Sequence, residues 1–164
     1  MFIPFCLNIV SNYLCKYRAE KLLKFPYEPL PDVVHTYIYK TPFILPDVLL
    51  FFSIIYCLNN GVFTKLNLQA LYKSLCLRPI FSLCTTLPTC VENKPCKNVY
   101  SKIFLSTHDL MFSGHTCIFL FLGNSVNSII IKYLFPLTLI TSRQHYTIDV
   151  LTSFFIYKSL TLYN

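Results

Sequence analysis

Apolar residues along this chain gather into six runs: Phe2–Cys15, Phe43–Phe63, Leu66–Leu87, Ile103–Gly123, Ser128–Thr141 and Tyr146–Leu162. A helix that spans a bilayer needs about 20 mostly apolar residues. The runs therefore predict an all-α chain folded as a series of helical hairpins with five to six transmembrane helices, the first and fifth runs being short. Between them stand a basic, proline-rich linker from Lys16 to Pro42, an Asn-Asn-Gly turn at Asn59–Gly61, a polar loop from Pro88 to Lys102 and a Gly-Asn-Ser-Val-Asn turn at Gly123–Asn127. Glycine, asparagine and serine suit such chain reversals. The opening stretch has neither a preceding basic region nor a small-residue cleavage site, so it reads as a short membrane segment rather than a signal peptide. No internal repeat or low-complexity tract interrupts the pattern.

Composition strengthens the membrane expectation. The hydrophobic fraction is 54% and the charged fraction 13%, about half the usual charged share of a soluble domain; mean hydropathy is +0.53. A net charge of +7 raises nucleic acid as a partner, but the basic residues are spread out, densest in Lys16–Lys24. No nucleic-acid module signature accompanies them, and juxtamembrane Lys and Arg beside anionic lipid explain the run at lower cost. Basic residues flank the runs on both sides, so charge does not assign an orientation. Of eight cysteines, six lie inside apolar runs as small hydrophobes. Cys90 and Cys96 occupy the polar loop and could either pair or remain thiols. No Cys/His spacing fits a metal, and no cofactor is expected.

Two stretches break the apolar rule with histidine: Phe112–Phe119 (FSGHTCIF) and Ser142–Asp149 (SRQHYTID). In the second, His145 and Asp149 stand at i and i+4, neighbours on one helix face. A carboxylate beside an imidazole selects one tautomer, orients the ring and leaves the other nitrogen as nucleophile or base. In the first, Ser113 and Gly114 permit close backbone approach, and free N–H groups at a helix start suit a phosphate. His115 would stand there able to protonate a leaving oxygen. A His–Asp pair alone is more often a structural hydrogen bond, and Ser-Gly-His alone is a common tripeptide. Both, in order, at the ends of adjacent apolar runs, point to phosphoryl chemistry.

With these motifs in view, the chain resembles the sphingomyelin synthase family within the lipid phosphate phosphatase superfamily, a PAP2-like membrane helical bundle. Glu28–Val34 (EPLPDVV) and Leu71–Pro88, with Arg78 and the Thr85–Pro88 ending, resemble the family's first two blocks; His108–Thr116 (HDLMFSGHT) and His145–Val150 (HYTIDV) resemble the third and fourth. The resemblance divides the chain into a short apolar segment with a basic linker at residues 1–27 and the family domain at 28–164. It implies transfer of a phospho-headgroup, phosphocholine first among the donors, from a glycerophospholipid to ceramide. The products are a sphingophospholipid and diacylglycerol. His145 would be the nucleophile or base, Asp149 its orienter and His115 the acid to the diacylglycerol leaving group. Arg78, Asp109, Ser113, Gly114, Arg143 and Tyr146 would contact the phosphate or headgroup. It further implies membrane lipids as partners and a multi-pass protein of Golgi or plasma membrane with a lumenal or extracellular site. Oligomeric state stays open, a homo-oligomer among the options.

Other readings remain. The third block has Thr107-His108 before Asp109 where the family has Cys-Gly, and the first span is nearly absent. The interval from His115 to His145 is 145 − 115 = 30 residues, giving about 45 Å of helical path. Two crossings of the hydrocarbon core need about 60 Å. A truncated, non-catalytic relative would share these features. A lipid phosphate phosphatase, in which water replaces ceramide, is disfavoured by spacing: Lys73 precedes Arg78-Pro79 too closely, and Arg143 stands only two residues before His145.

Overall fold

The computed structural model describes residues 2–22, 29–85, 87–88, 90 and 111–162. Helix α1 runs over Phe2–Leu22, α2 over Val33–Tyr37, α3 over Leu45–Asn60, α4 over Lys65–Cys84 and α5 over Gly114–Ser125. A π-helical stretch, Ile130–Leu134, then leads into α6 (Phe135–Thr141), and α7 closes the series at Thr147–Leu162. Among the described residues every regular element is helical.

The helix starts have local causes. Asp32 Oδ1 accepts the Val34 and His35 amides at the head of α2. Thr64 Oγ1 accepts the Asn67 amide before α4, and Ser113 Oγ accepts the Thr116 amide before α5; each fills a donor the first turn cannot satisfy itself. Pro46 opens α3, where a missing N–H costs nothing. The prolines inside helices are handled differently. Pro79 in α4 has no N–H for the Leu75 carbonyl, and Asn8 Nδ2 of α1 takes that carbonyl instead at 2.9 Å. Pro136 stands two residues after the π stretch ends at Leu134, and the wider turn, closed by Phe135 N–H on Ile130 O, relieves the clash its ring would make in a regular helix.

Helix α5 is the centre of the molecule. Cys117, Phe119, Leu120, Phe121 and Leu122 are all buried, and they share a core with Cys57 of α3, Ala70 and Leu71 of α4, Ile131 of the π stretch and Tyr157 of α7. A helix that is apolar all round belongs inside a protein core or a membrane, and periodicity does not separate the two.

That distinction corrects the membrane-spanning bundle expected above. No helix among the described residues is long and apolar enough to cross a membrane. Helices α3 and α7 have 16 residues each and α5 has 12, about 24 and 18 Å against a core of about 30 Å. With 21 and 20 residues, α1 and α4 are long enough, but α1 carries Asn8, Ser11, Asn12, Arg18 and Lys21, and α4 carries Lys65, Asn67, Gln69, Lys73 and Arg78. The five to six transmembrane helices, and with them the multi-pass Golgi or plasma-membrane location, are not supported. The apolar runs do fall on helices: Phe43–Phe63 contains α3, and Tyr146–Leu162 contains α7. Of Ile103–Gly123, the part before Met111 lies outside the described residues. Part of the apolar surplus faces outward, with Ile3 and Phe5 on α1, Phe51, Phe52 and Leu58 on α3, and Phe155 and Leu162 on α7 all exposed.

Gly123 sits where α5 presses on the π stretch. A Cβ there would stand 2.7 Å from Lys132 N and 2.8 Å from its Cα, so backbone would have to move. Gly123→Ala is expected to destabilise the fold by about 2–3 kcal/mol. At Gly114 an added Cβ meets only ordinary contacts, at 3.4 and 3.5 Å, and Gly114→Ala should be close to neutral in stability. Parallel chemical denaturation of the two variants checks the contrast.

Candidate functional site

The site assembles from three helix beginnings. Asp47 lies in the first turn of α3, His115 in that of α5 and Asp149 in that of α7, with His145 just ahead of α7. The connection from α6 is set by its C-terminal turn: Arg143 donates its amide to Ile140 O, and Gln144 and His145 donate theirs to Leu139 O. Arg143 adopts φ 59°, the left-handed conformation that reverses the chain at a helix end.

Asp149 is fully buried and accepts three hydrogen bonds. His145 Nδ1 lies 3.3 Å from its Oδ2, the Tyr146 amide donates to Oδ2 at 2.9 Å, and the Met111 amide donates to Oδ1 at 2.8 Å. Met111 makes that last bond with φ 88°, an unusual conformation for a side chain of its size. An Nδ1–H shared with Asp149 leaves the lone pair of His145 on Nε2. Behind Asp149, Ser153 Oγ donates to its carbonyl and accepts the Ser113 amide at 2.6 Å, which couples α7 to the start of α5.

Burial lowers the pKa of His145; Asp149 opposes the shift, and the charges of His115 and Arg78 add to it. The structural link between the two histidine stretches is Gln144, the residue before His145, whose side chain donates to Asp47, the partner of His115. The sign of the His145 shift has a consequence for pH. Below the ordinary histidine value of 6.5 the unfolded chain takes up a proton that the folded one refuses. This residue's contribution is complete above 6.5 and declines as pH falls from there towards its folded value. Denaturation between about pH 5 and about pH 8 should show this slope, and His145→Gln should reduce it.

His115 has a carboxylate of its own. Its Nε2 lies 3.2 Å from Asp47 Oδ1, and Asp47 Oδ2 accepts from Gln144 Nε2 at 3.0 Å. The hydrogen bond from His115 is the main reason that the Asp47 pKa lies below its ordinary value; partial burial opposes it and Gln144 assists. Sequence reasoning passed over both residues. Asp47 is the sole charged residue in the Phe43–Phe63 run, the signal that singled out the histidines and that applied equally here. Gln144 stands inside the quoted SRQHYTID stretch.

Arg78 reaches the site from α4. Its Nε is sealed from solvent and rests on the start of α5, 3.4 Å from where a Cβ on Gly114 would be. Nη1 donates to Asn8 Oδ1 at 2.6 Å and Asn12 Oδ1 at 3.3 Å. Burial lowers the Arg78 pKa to about 10, which leaves the charge in place at neutral pH.

The remaining expected residues lie elsewhere or differently. Ser113 acts as cap and bridge. The Tyr146 hydroxyl donates to Pro88 O and accepts the Leu30 amide, and its ring stacks on His35. Arg143 Nη2 donates to His35 O at 2.6 Å, on the α2 side. Asp109 and Cys96 lie outside the described residues, and Cys90 is a buried free thiol. Asp32, from the first sequence block, ties α2 to α7 by accepting the Thr147 amide at 2.7 Å and the Thr147 hydroxyl at 3.0 Å. No group of His, Cys, Asp and Glu among the described residues is arranged to hold a metal ion.

The arrangement thus contains two imidazoles, each on its own carboxylate, and a buried guanidinium between helix starts. Neither any protein-family model nor any curated protein sequence matches the chain.

Proposed function

We propose that this chain is a phosphotransferase that moves a phospho-headgroup from a glycerophospholipid to ceramide, with phosphocholine the preferred group. Two His–carboxylate pairs at helix starts carry this reading: His145–Asp149, and His115–Asp47 linked to it through Gln144, with Arg78 lying against Gly114 beside His115. His145 Nε2 attacks phosphorus as the P–O bond to diacylglycerol breaks, and His115 passes a proton to the departing oxygen. The headgroup phosphate is then held on His145. The primary hydroxyl of ceramide gives its proton to His115 and attacks the same phosphorus, the P–N bond breaks, and both histidines return to their starting states. Asp149 holds the His145 tautomer, and Asp47 with Gln144 aims the His115 ring. Arg78 offsets negative charge that builds on the phosphoryl oxygens in both steps. The exposed apolar side chains of α1, α3 and α7 suit a substrate whose bulk is hydrocarbon.

The test offers the purified protein phosphatidylcholine, phosphatidylethanolamine and phosphatidylinositol in turn, with fluorescent ceramide as acceptor. The expected result is a phosphoceramide and an equal amount of diacylglycerol, greatest with phosphatidylcholine. Release of a free phosphorylated product with ceramide untouched would make water the acceptor and the protein a phosphatase. No turnover of any donor by folded protein would overturn the assignment.

A further inference from the structure

Helix α3 is built the wrong way round for water. Its buried residues are Pro46, Ser53 and Cys57, on the side that packs against α5 and α6. The opposite side carries Val48, Phe51, Phe52 and Ile55, spaced i, i+3, i+4 and i+7 as one helix face. All four are exposed, Phe51 and Phe52 by 60% and 62%. No charged residue interrupts the chain from Val48 to Thr64. Nor can the helix roll to hide this face, because both of its approaches are fastened. Before it, the Thr41 amide donates to Thr141 O and the two threonine hydroxyls meet at 2.8 Å; after it, the Val62 amide donates to Ser125 O. A continuous apolar stripe held outward in this way marks an interaction surface.

The flanks of the stripe say what covers it. Lys40 precedes α3 and Lys65 follows it, both exposed. Between residues 37 and 65 the other charge is Asp47, which is engaged by His115 and Gln144. Tyr37 and Tyr39 stand exposed beside Lys40, and Tyr56 is exposed in the last turns of the helix. A tyrosine joins an apolar ring to a polar tip and collects where lipid chains meet headgroups. A lysine at the same level lays its stem on the apolar layer and reaches anionic phosphates with its ammonium. A second copy of the chain fits this face worse, since pairing would bring together two molecules of net charge +7.

We propose that α3 docks the chain on the surface of an anionic phospholipid bilayer. The helix lies flat in one leaflet, with Val48, Phe51, Phe52 and Ile55 about 5–10 Å into the boundary between headgroups and acyl chains, and Lys40 and Lys65 on lipid phosphates. This is a contact with one face of the membrane and requires no crossing, in keeping with a helix of 16 residues. Docking would hold Asp47, and with it His115, at headgroup level. It does not depend on headgroup transfer.

The chain contains no tryptophan, so Phe52→Trp places a single fluorescent reporter on the docking face at an exposed position. The probes are vesicles of phosphatidylcholine and of phosphatidylcholine mixed with phosphatidylglycerol, each with and without brominated acyl chains. With the mixed vesicles the emission is expected to move to the blue and to be quenched by bromine. Phe51→Ser, added to the reporter, should weaken partition by about ten-fold. Lys40→Gln with Lys65→Gln should weaken binding to the mixed vesicles by about ten-fold and leave binding to phosphatidylcholine alone unchanged. Sedimentation of the chain without lipid should show a monomer. A dimer that Phe51→Ser dissociates, with no vesicle bound, would give the face to a second copy and overturn the proposal. Emission that bromine leaves unquenched, or vesicle binding indifferent to Phe51→Ser, would overturn it as well. Intact docking without turnover of any donor would strike the catalytic reading alone.

Discussion

Asp149→Asn should lower the rate of headgroup transfer by roughly 10⁴-fold and destabilise the fold by about 2–4 kcal/mol. The two losses have one origin. The carboxylate accepts from the Met111 amide, the Tyr146 amide and His145 Nδ1, all three of them donors. An asparagine offers an NH2 group in place of one oxygen, so one donor must face another at a site with no access to water. If the misfit falls on an amide, a buried N–H is left without an acceptor and stability suffers. If it falls on His145, the ring turns to its other tautomer, the lone pair moves from Nε2 to Nδ1, and nucleophilic attack fails. His145→Gln separates the effects. It should abolish transfer as completely but cost no more than about 1.5 kcal/mol, because both backbone amides keep their acceptor. Transfer to fluorescent ceramide, read beside urea denaturation of the same preparations, distinguishes the pair. Equal stability losses in the two variants would contradict the role given to Asp149.

Arg78 should show the second largest effect. Arg78→Ala removes a buried guanidinium that donates to Asn8 and Asn12 of α1 while lying against Gly114 of α5. Loss of charge-assisted hydrogen bonds of this kind should cost about 2–4 kcal/mol. Loss of a positive charge near the transferred phosphoryl group should cost a further 10²- to 10³-fold in kcat, on the order of that for one oxyanion donor. Arg78→Lys restores a charge but not the planar fork. It is expected to recover about ten-fold of the rate and less than half of the stability, since a single ammonium cannot match the guanidinium's donor geometry. A variant that recovers stability fully and rate not at all would show that Arg78 acts on phosphate through its shape rather than its charge.

The positions of the helices were legible in the chain, but their surroundings were not. Each described helix from α3 onward falls within or across an expected apolar run, because a run of apolar residues without alternation marks helix in a core and in a bilayer alike. What failed was the choice between the two. Residues 114–123 of α5 read as part of a membrane span, and they instead form the helix that every neighbour packs around. The 30-residue interval from His115 to His145, about 15 Å short of two crossings, already favoured the core. The site divides in the same way. His145 and Asp149 share a helix face by local spacing, so their bond was readable. Asp47 lies 115 − 47 = 68 residues before His115, and the two amides that complete the Asp149 shell come from a tight turn and from a residue 38 positions away. No local rule brings such groups together; only the packing of α3, α5 and α7 does.

Pro79 has a consequence for how the first helix is held. Residue 79 lacks an N–H, and this is what leaves the Leu75 carbonyl open for Asn8. One turn along α1, Asn12 joins Asn8 in gripping the side chain of Arg78, Pro79's immediate neighbour. A shift of α1 by a single residue would turn both asparagines off that face by about 100°. The proline, by habit a helix breaker, thus acts here as a notch that sets the register of one helix on another. Positions 8, 12, 78 and 79 form one fastening whose parts make sense only together.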